Sequence, residues 1–140
     1  MSKVGKIVAV IFLIVAVIVV VAVKQKSSSS GDIEALRPEQ LVGKGLPALV
    51  DLGAGTCIPC KMMAPVLEDL KKEMEGKLQV QYLDVSIYPG LTKVYSIDLI
   101  PTQIFYDASG KELFRNVGFI SKEDILSKWK ELGVELTKEK

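Results

Sequence analysis

The sequence has no histidine and only two cysteines in 140 residues. A zinc site wants four Cys or His ligands, so one copy of this chain cannot build one and two copies would have to pool their cysteines. Lysine and arginine (18) nearly balance aspartate and glutamate (17), and no basic run stands out. Nucleic-acid binding, which relies on clustered positive charge, is therefore not expected. There is no internal repeat. The length allows one ordinary domain.

A long apolar run occurs once, from Ile7 to Val23, with Lys3 and Lys6 before it and Lys24 and Lys26 after it. About 17 residues at about 1.5 Å rise give about 25 Å, the short end of what spans a bilayer core, and the flanking lysines can snorkel. A cleaved signal would end at a small-x-small site, which Val21-Ala22-Val23 is not, and no cysteine nearby could carry a lipid. The expected organisation is an N-terminal transmembrane anchor over 1–24, a flexible Ser-rich linker over 25–31 and a globular domain over 32–140. Two lysines flank each end of the run, and the terminal amine tips the balance toward a cytoplasmic N-terminus. The chain is thus expected as a single-pass membrane protein with its domain on the extracytoplasmic side, at the periplasmic or extracellular face.

Within the domain, Leu46 to Leu52 reads as a central strand covered on both faces, and it is followed by a turn and a helix that opens at Cys57-Ile58-Pro59-Cys60. The unpaired N–H groups and the dipole at a helix start favour a thiolate over a thiol. Cys57 is then the exposed nucleophile, and Cys60, one turn in, reaches its sulfur to close a disulfide. Pro59 fits the first turn, where a missing N–H costs nothing. Two other readings stay open at this point. A purely structural disulfide is one, although so short a loop gives little stability; half of a metal site shared between two copies is the other.

Asp51 interrupts an otherwise apolar strand six residues before Cys57. Buried there, it would have a raised pKa, and a carboxyl held near neutrality is suited to proton transfer with the second sulfur. The helix after the cysteines places Met63, Val66, Leu67, Leu70 and Met74 on one face for the core. Leu78 to Val85 reads as a second strand parallel to the first, Thr102 to Tyr106 and Lys111 to Val117 as a hairpin about Asp107-Ala108-Ser109-Gly110, and Ser121 to Leu132 as a capped last helix.

This order, with Val50-Asp51, Cys57-Ile58-Pro59-Cys60-Lys61-Met62, Ala64-Pro65, Ile100-Pro101-Thr102 and Val117-Gly118 at matching separations, resembles the thioredoxin family from Asp32 to about Gly133. The resemblance implies an α/β thioredoxin-like fold, a central mixed sheet flanked by helices behind the anchor. It implies Cys57 as the attacking and Cys60 as the resolving cysteine, with Asp51 the buried acid that serves Cys60. Pro101 would be a cis-proline facing the disulfide, and Ile100 would offer backbone hydrogen bonds to an extended substrate segment. Ile58, Pro59 and Gly118 would help line the groove where a partner's disulfide docks.

Four positions depart from that pattern: Thr56 stands for the usual tryptophan, Leu52-Gly53 for an aromatic pair, and Tyr82 for a lysine. The function implied is thiol-disulfide exchange as a protein-disulfide reductase, with no metal or organic cofactor. Its partners would be disulfide-containing proteins and a thiol electron donor, either a membrane thiol carrier or a thioredoxin reductase, and the protein is expected to be a monomer. A disulfide donor or isomerase, and a tethered binding module with incidental cysteines, are the alternatives.

Overall fold

The computed structural model describes residues 3–136. The chain divides into two compact units, residues 1–34 and 35–140. The first is α1 (Lys3–Ala35). From Ile7 to Val20 its described large apolar side chains are between 52% and 79% exposed. Among the described residues no helix is long and apolar enough to cross a membrane. The anchor expected over 1–24 falls in part, and the linker over 25–31 entirely, on residues whose side chains lie outside the described ones.

The second unit runs α2 (Pro38–Leu41), β1 (Ala48–Gly53), α3 (Ile58–Glu73), β2 (Gln79–Asp84), α4 (Leu91–Val94), β3 (Thr102–Tyr106), β4 (Glu112–Val117) and α5 (Lys122–Glu131). The four strands form one sheet in the order β2-β1-β3-β4. β1 and β2 are parallel, joined through α3, while β1–β3 and β3–β4 are antiparallel. The mixed sheet expected from the sequence is therefore present. No strand precedes β1 among the described residues, which leaves β2 as an edge.

Local chemistry accounts for the element boundaries. Pro38 starts α2 at a position that needs no N–H. Ser121 caps α5 by accepting from the Asp124 N–H at 3.1 Å and donating to Asp124 Oδ2 at 2.7 Å, a short version of the capping box. The β3–β4 turn is held by Asp107, whose Oδ1 accepts from the N–H groups of Ser109 (2.8 Å) and Lys111 (3.0 Å). Asp107 is thus an acceptor for the turn backbone, the usual reason for an aspartate at this place.

All six residues of β1 are buried, as expected of an apolar central strand covered on both faces. On the face under α3 and α5, Val80, Leu49, Phe105 and Phe114 are Cα partners in sequence across β2, β1, β3 and β4. This apolar row carries the core. Met63, Leu67 and Leu70 from α3 and Ile125 and Trp129 from α5 pack on it, each such side chain contributing about 1.5–3 kcal/mol by leaving water. Phe105 lies at the centre, 4.9 Å from the Trp129 ring and 5.4 Å from Phe114. The helical face read from the sequence is the one buried, with Val66 and Met74 at its partly covered margin.

Candidate functional site

β1 ends at Gly53, and the turn that follows delivers Cys57 as the N-cap of α3. Its extended backbone (φ −82°, ψ 124°) leaves its side chain free to accept from the helix, and Cys57 Sγ receives the Cys60 N–H at 3.3 Å. A sulfur at an N-cap sits where free N–H groups and the dipole stabilise negative charge, which is what a reactive thiolate requires. Pro59 lies in the first turn, as expected.

Cys57 and Cys60 are joined in a disulfide, their Cα atoms 5.2 Å apart. The two sulfurs are unequal in access: Cys57 is part-exposed, while Cys60 is 3% exposed. An attacking thiol must meet solvent, whereas a resolving thiol need only meet its neighbour.

The second wall of the site comes from the chain before β3. The Ile100–Pro101 peptide bond is cis. Cys57 Sγ lies 3.9 Å from the Ile100 carbonyl oxygen. The Gly118 N–H donates to the Pro101 carbonyl at 2.8 Å, which brings the end of β4 beside the same loop. Gly118 has φ +96°, a conformation that glycine adopts without the cost a side chain would add. Ile58 at 74% exposure, together with the exposed Leu99, Val117 and Phe119, gives this end of the domain an apolar surface. The structure thus gathers Cys57, Cys60, Ile100, Pro101 and Gly118, with Ile58 and Pro59 at the rim.

Asp51 lies below them and is wholly buried. Asp51 and Gly53 are two apart on β1 and so face the same side of the sheet, about 6.7 Å apart along the strand. A Cβ on Gly53 would stand 3.2 Å from Cys60 Cβ and 3.3 Å from its Sγ. Glycine at 53 therefore lets α3 settle onto the sheet and puts Cys60 next along from Asp51. An apolar cavity of about 380 Å³ lies beside Cys60, lined also by Ala54, Ala64, Leu67 and Tyr82.

Burial pushes the Asp51 carboxyl up to about 6, and a hydrogen bond from Gln103 partly offsets this. Gln103 Nε2 donates to Asp51 Oδ1 at 2.6 Å, while Oδ2 is buried with no protein partner. Gln103 was not singled out by the sequence reading, nor was Asn116, whose Nδ2 donates to Gln103 Oε1 at 2.7 Å. The signal for Gln103 was a polar residue inside the apolar strand Thr102–Tyr106. Tyr82, Asp51, Gln103 and Asn116 are successive Cα partners, a polar row across all four strands one step along from the apolar row. Tyr82 itself is turned outward, 45% exposed, with its hydroxyl 3.5 Å from Asp84 Oδ2.

Among the described residues no group of three or more His, Cys, Asp or Glu side chains converges as a metal site would. An exposed and a buried cysteine at a helix start, a cis-proline beside them and a buried acid beneath define the class as the thiol-disulfide oxidoreductases. The comparisons place the chain within that class. The sequence profile of the thioredoxin family matches residues 38–131. A thioredoxin of Rickettsia felis is 31% identical over 88 residues, which span 63% of this chain and 83% of that protein. A thioredoxin of Staphylococcus aureus is 43% identical over 77 residues, 55% of this chain and 73% of the relative. The chain belongs to the thioredoxin family and is a thioredoxin-type thiol-disulfide oxidoreductase with its Cys-x-x-Cys pair at Cys57 and Cys60.

Proposed function

We propose that this protein reduces protein disulfides while tethered to a membrane by its N-terminal segment. The observation that carries the exchange chemistry is the unequal pair itself, a part-exposed Cys57 at the α3 N-cap and a buried Cys60 against Gly53, two residues along β1 from Asp51. In the reduced protein the Cys57 thiolate attacks one sulfur of a substrate disulfide. A mixed disulfide forms and the first substrate thiolate leaves, to be protonated by solvent. Asp51, ionised at neutral pH because its pKa of about 6 lies below 7, accepts the Cys60 proton. The Cys60 thiolate attacks Cys57 Sγ, the mixed disulfide breaks, and the second substrate sulfur departs as a thiolate that takes a proton from solvent, to which Asp51 releases the one it accepted. Two electrons and two protons pass to the substrate, and the Cys57–Cys60 disulfide remains.

The Ile100 carbonyl and the Pro101 loop supply the backbone edge along which an extended substrate segment lies, with Ile58, Pro59 and Gly118 flanking it. Recharging requires a thiol donor. With the domain outside the cytoplasm, that donor is a membrane thiol carrier; with the domain inside, it is a thioredoxin reductase. The tether is supported by the Ile7–Val23 run, its flanking lysines and the exposure of the described apolar side chains from Ile7 to Val20. Near-equal lysine counts favour the extracytoplasmic side only through the terminal amine.

Direction is tested by the Cys57/Cys60 reduction potential, measured by equilibrating the full chain against dithiothreitol. A value near about −270 mV is expected, and one near about −120 mV would make the protein a disulfide donor.

A further inference from the structure

Gln103 is an amide, and an amide can offer a neighbouring carboxyl either its N–H groups or its carbonyl. The first stabilises an ionised acid and the second a protonated one. The row across the sheet removes the choice. The Gly118 carbonyl can only accept, and Asn116 Nδ2 donates to it at 3.1 Å. That contact fixes which end of the Asn116 amide carries hydrogen. The same Nδ2 donates to Gln103 Oε1 at 2.7 Å, so the Gln103 carbonyl is taken. Its N–H end is thereby left for Asp51 Oδ1, at 2.6 Å. One backbone carbonyl in the groove wall thus sets the polarity of a hydrogen-bonded chain that ends on the acid.

Gln103 is fully buried and Asn116 half-buried, and strand register makes them neighbours on one face of the sheet. The groups that face Asp51 are few. Tyr82 comes from β2 with Asp84 beyond it, Cys60 from α3, and neutral amides from β3 and β4. Among the described residues no lysine or arginine from any of these elements or from α5 perturbs it. With tyrosine in place of the family's lysine at position 82, Gln103 is the one side-chain donor to Asp51 among the described residues.

We propose that Gln103, held in one orientation by Asn116 and the Gly118 carbonyl, is the positioning residue that presents Asp51 to Cys60 for proton exchange. The assignment rests on the exchange reading given above. Its role is to keep Oδ1 occupied and the acid in its ionised form, so that Oδ2 is the oxygen left to exchange.

The test uses the full chain in detergent micelles, oxidised, with aspartate carboxyl carbons labelled, and follows the Asp51 carbon by NMR through a pH titration. Alongside it, initial rates of insulin reduction by the pre-reduced protein are measured against pH. Gln103→Leu removes the donor and is expected to raise the Asp51 midpoint by about 1–2 pH units. Asn116→Leu frees the Gln103 amide to turn its carbonyl to a protonated acid, and it is expected to move the midpoint the same way by less. Each substitution is expected to move the acid limb of the rate profile with the midpoint, and neither to move it in an Asp51→Asn background. Should Gln103→Leu not fold, judged by the near-ultraviolet signal of Trp129, the Asn116→Leu arm decides alone. An Asp51 midpoint that the folded variant leaves in place overturns the proposal. A midpoint that moves, with a rate profile indifferent to Asp51→Asn, overturns instead the coupling to Cys60 on which it rests.

Discussion

Replacing Asp51 by Asn should make the protein more stable, and by an amount that depends on pH in a definite direction. Asp51 is wholly buried, and its carboxyl is raised from 3.8 to about 6. The folded protein therefore holds this proton more tightly than the unfolded chain does. Between about pH 4 and pH 6 folding takes up a proton, so stability falls as pH rises through that window, and above it the full cost is present. Roughly two pH units correspond to about 3 kcal/mol. Asparagine keeps an oxygen for the Gln103 N–H and carries no charge at any pH. Whatever its extra amide hydrogens cost is the same at every pH and cancels in the difference.

The expected result is that the stability advantage of Asp51→Asn over the parent grows by about 3 kcal/mol between pH 3.5 and pH 7.5. Urea unfolding at a series of pH values measures it. The single tryptophan, Trp129, is 1% exposed and stacked near Phe105, so its fluorescence reports loss of the core. Both proteins are kept oxidised so that no thiol titrates in the same range. An advantage that stays level across the window, or that shrinks as pH rises, would refute the reasoning that desolvation dominates at Asp51.

Gly53→Ala should place a Cβ 3.2 Å from Cys60 Cβ and 3.0 Å from Tyr82 Cε2. The exposed tyrosine ring can swing away but Cys60 cannot, so a loss of about 1–3 kcal/mol is expected together with a changed Cys57/Cys60 reduction potential. Urea unfolding and thiol equilibration check these, and both staying at the parent's values would count against close approach. For the tether, the full chain is expected to remain with carbonate-washed membranes while a form lacking residues 1–24 is released; a full chain that carbonate strips off would remove the anchor.

What could be read from the sequence was what is local in the chain. Cys57, Pro59 and Cys60 declare a helix start because capping and dipole effects act within one turn, and the structure puts Cys57 at the N-cap. Asp51 was conspicuous as a charge inside an apolar run, and it is buried. The face of α3 followed from spacing, since Met63, Leu67 and Leu70 must share one side of a helix. Gln103 and Asn116 were not legible, because each looks like an ordinary polar residue until strand register sets one beside the other. Their partnership depends on β1, β3 and β4 pairing without a shift at that row, while the irregularity in the hairpin falls elsewhere, between Phe105 and Tyr106. Gly53 shows in the sequence only as part of the Leu52-Gly53 departure from an aromatic pair. Its actual consequence, room for Cys60 against the sheet, needed the distance between two elements that the sequence does not carry.

The two rows across the sheet separate what stabilises the domain from what tunes its chemistry. Val80, Leu49, Phe105 and Phe114 form the row under the middle of α3 and α5, and the aromatic contacts with Trp129 lie there. One step toward the α3 N-terminus, about 6.7 Å along the strands, the row becomes Tyr82, Asp51, Gln103 and Asn116. At this second row Asp51 is dry enough to be raised and still has an amide to hold it ionised at neutral pH. The tryptophan and the aromatic pair that the family pattern has near the cysteines are replaced here by Thr56 and Leu52-Gly53. Beneath the cysteines the polar row is held by hydrogen bonds of fixed polarity, Asn116 to Gly118 and Gln103 to Asp51. Such a chain specifies direction as well as position, which packing alone does not do.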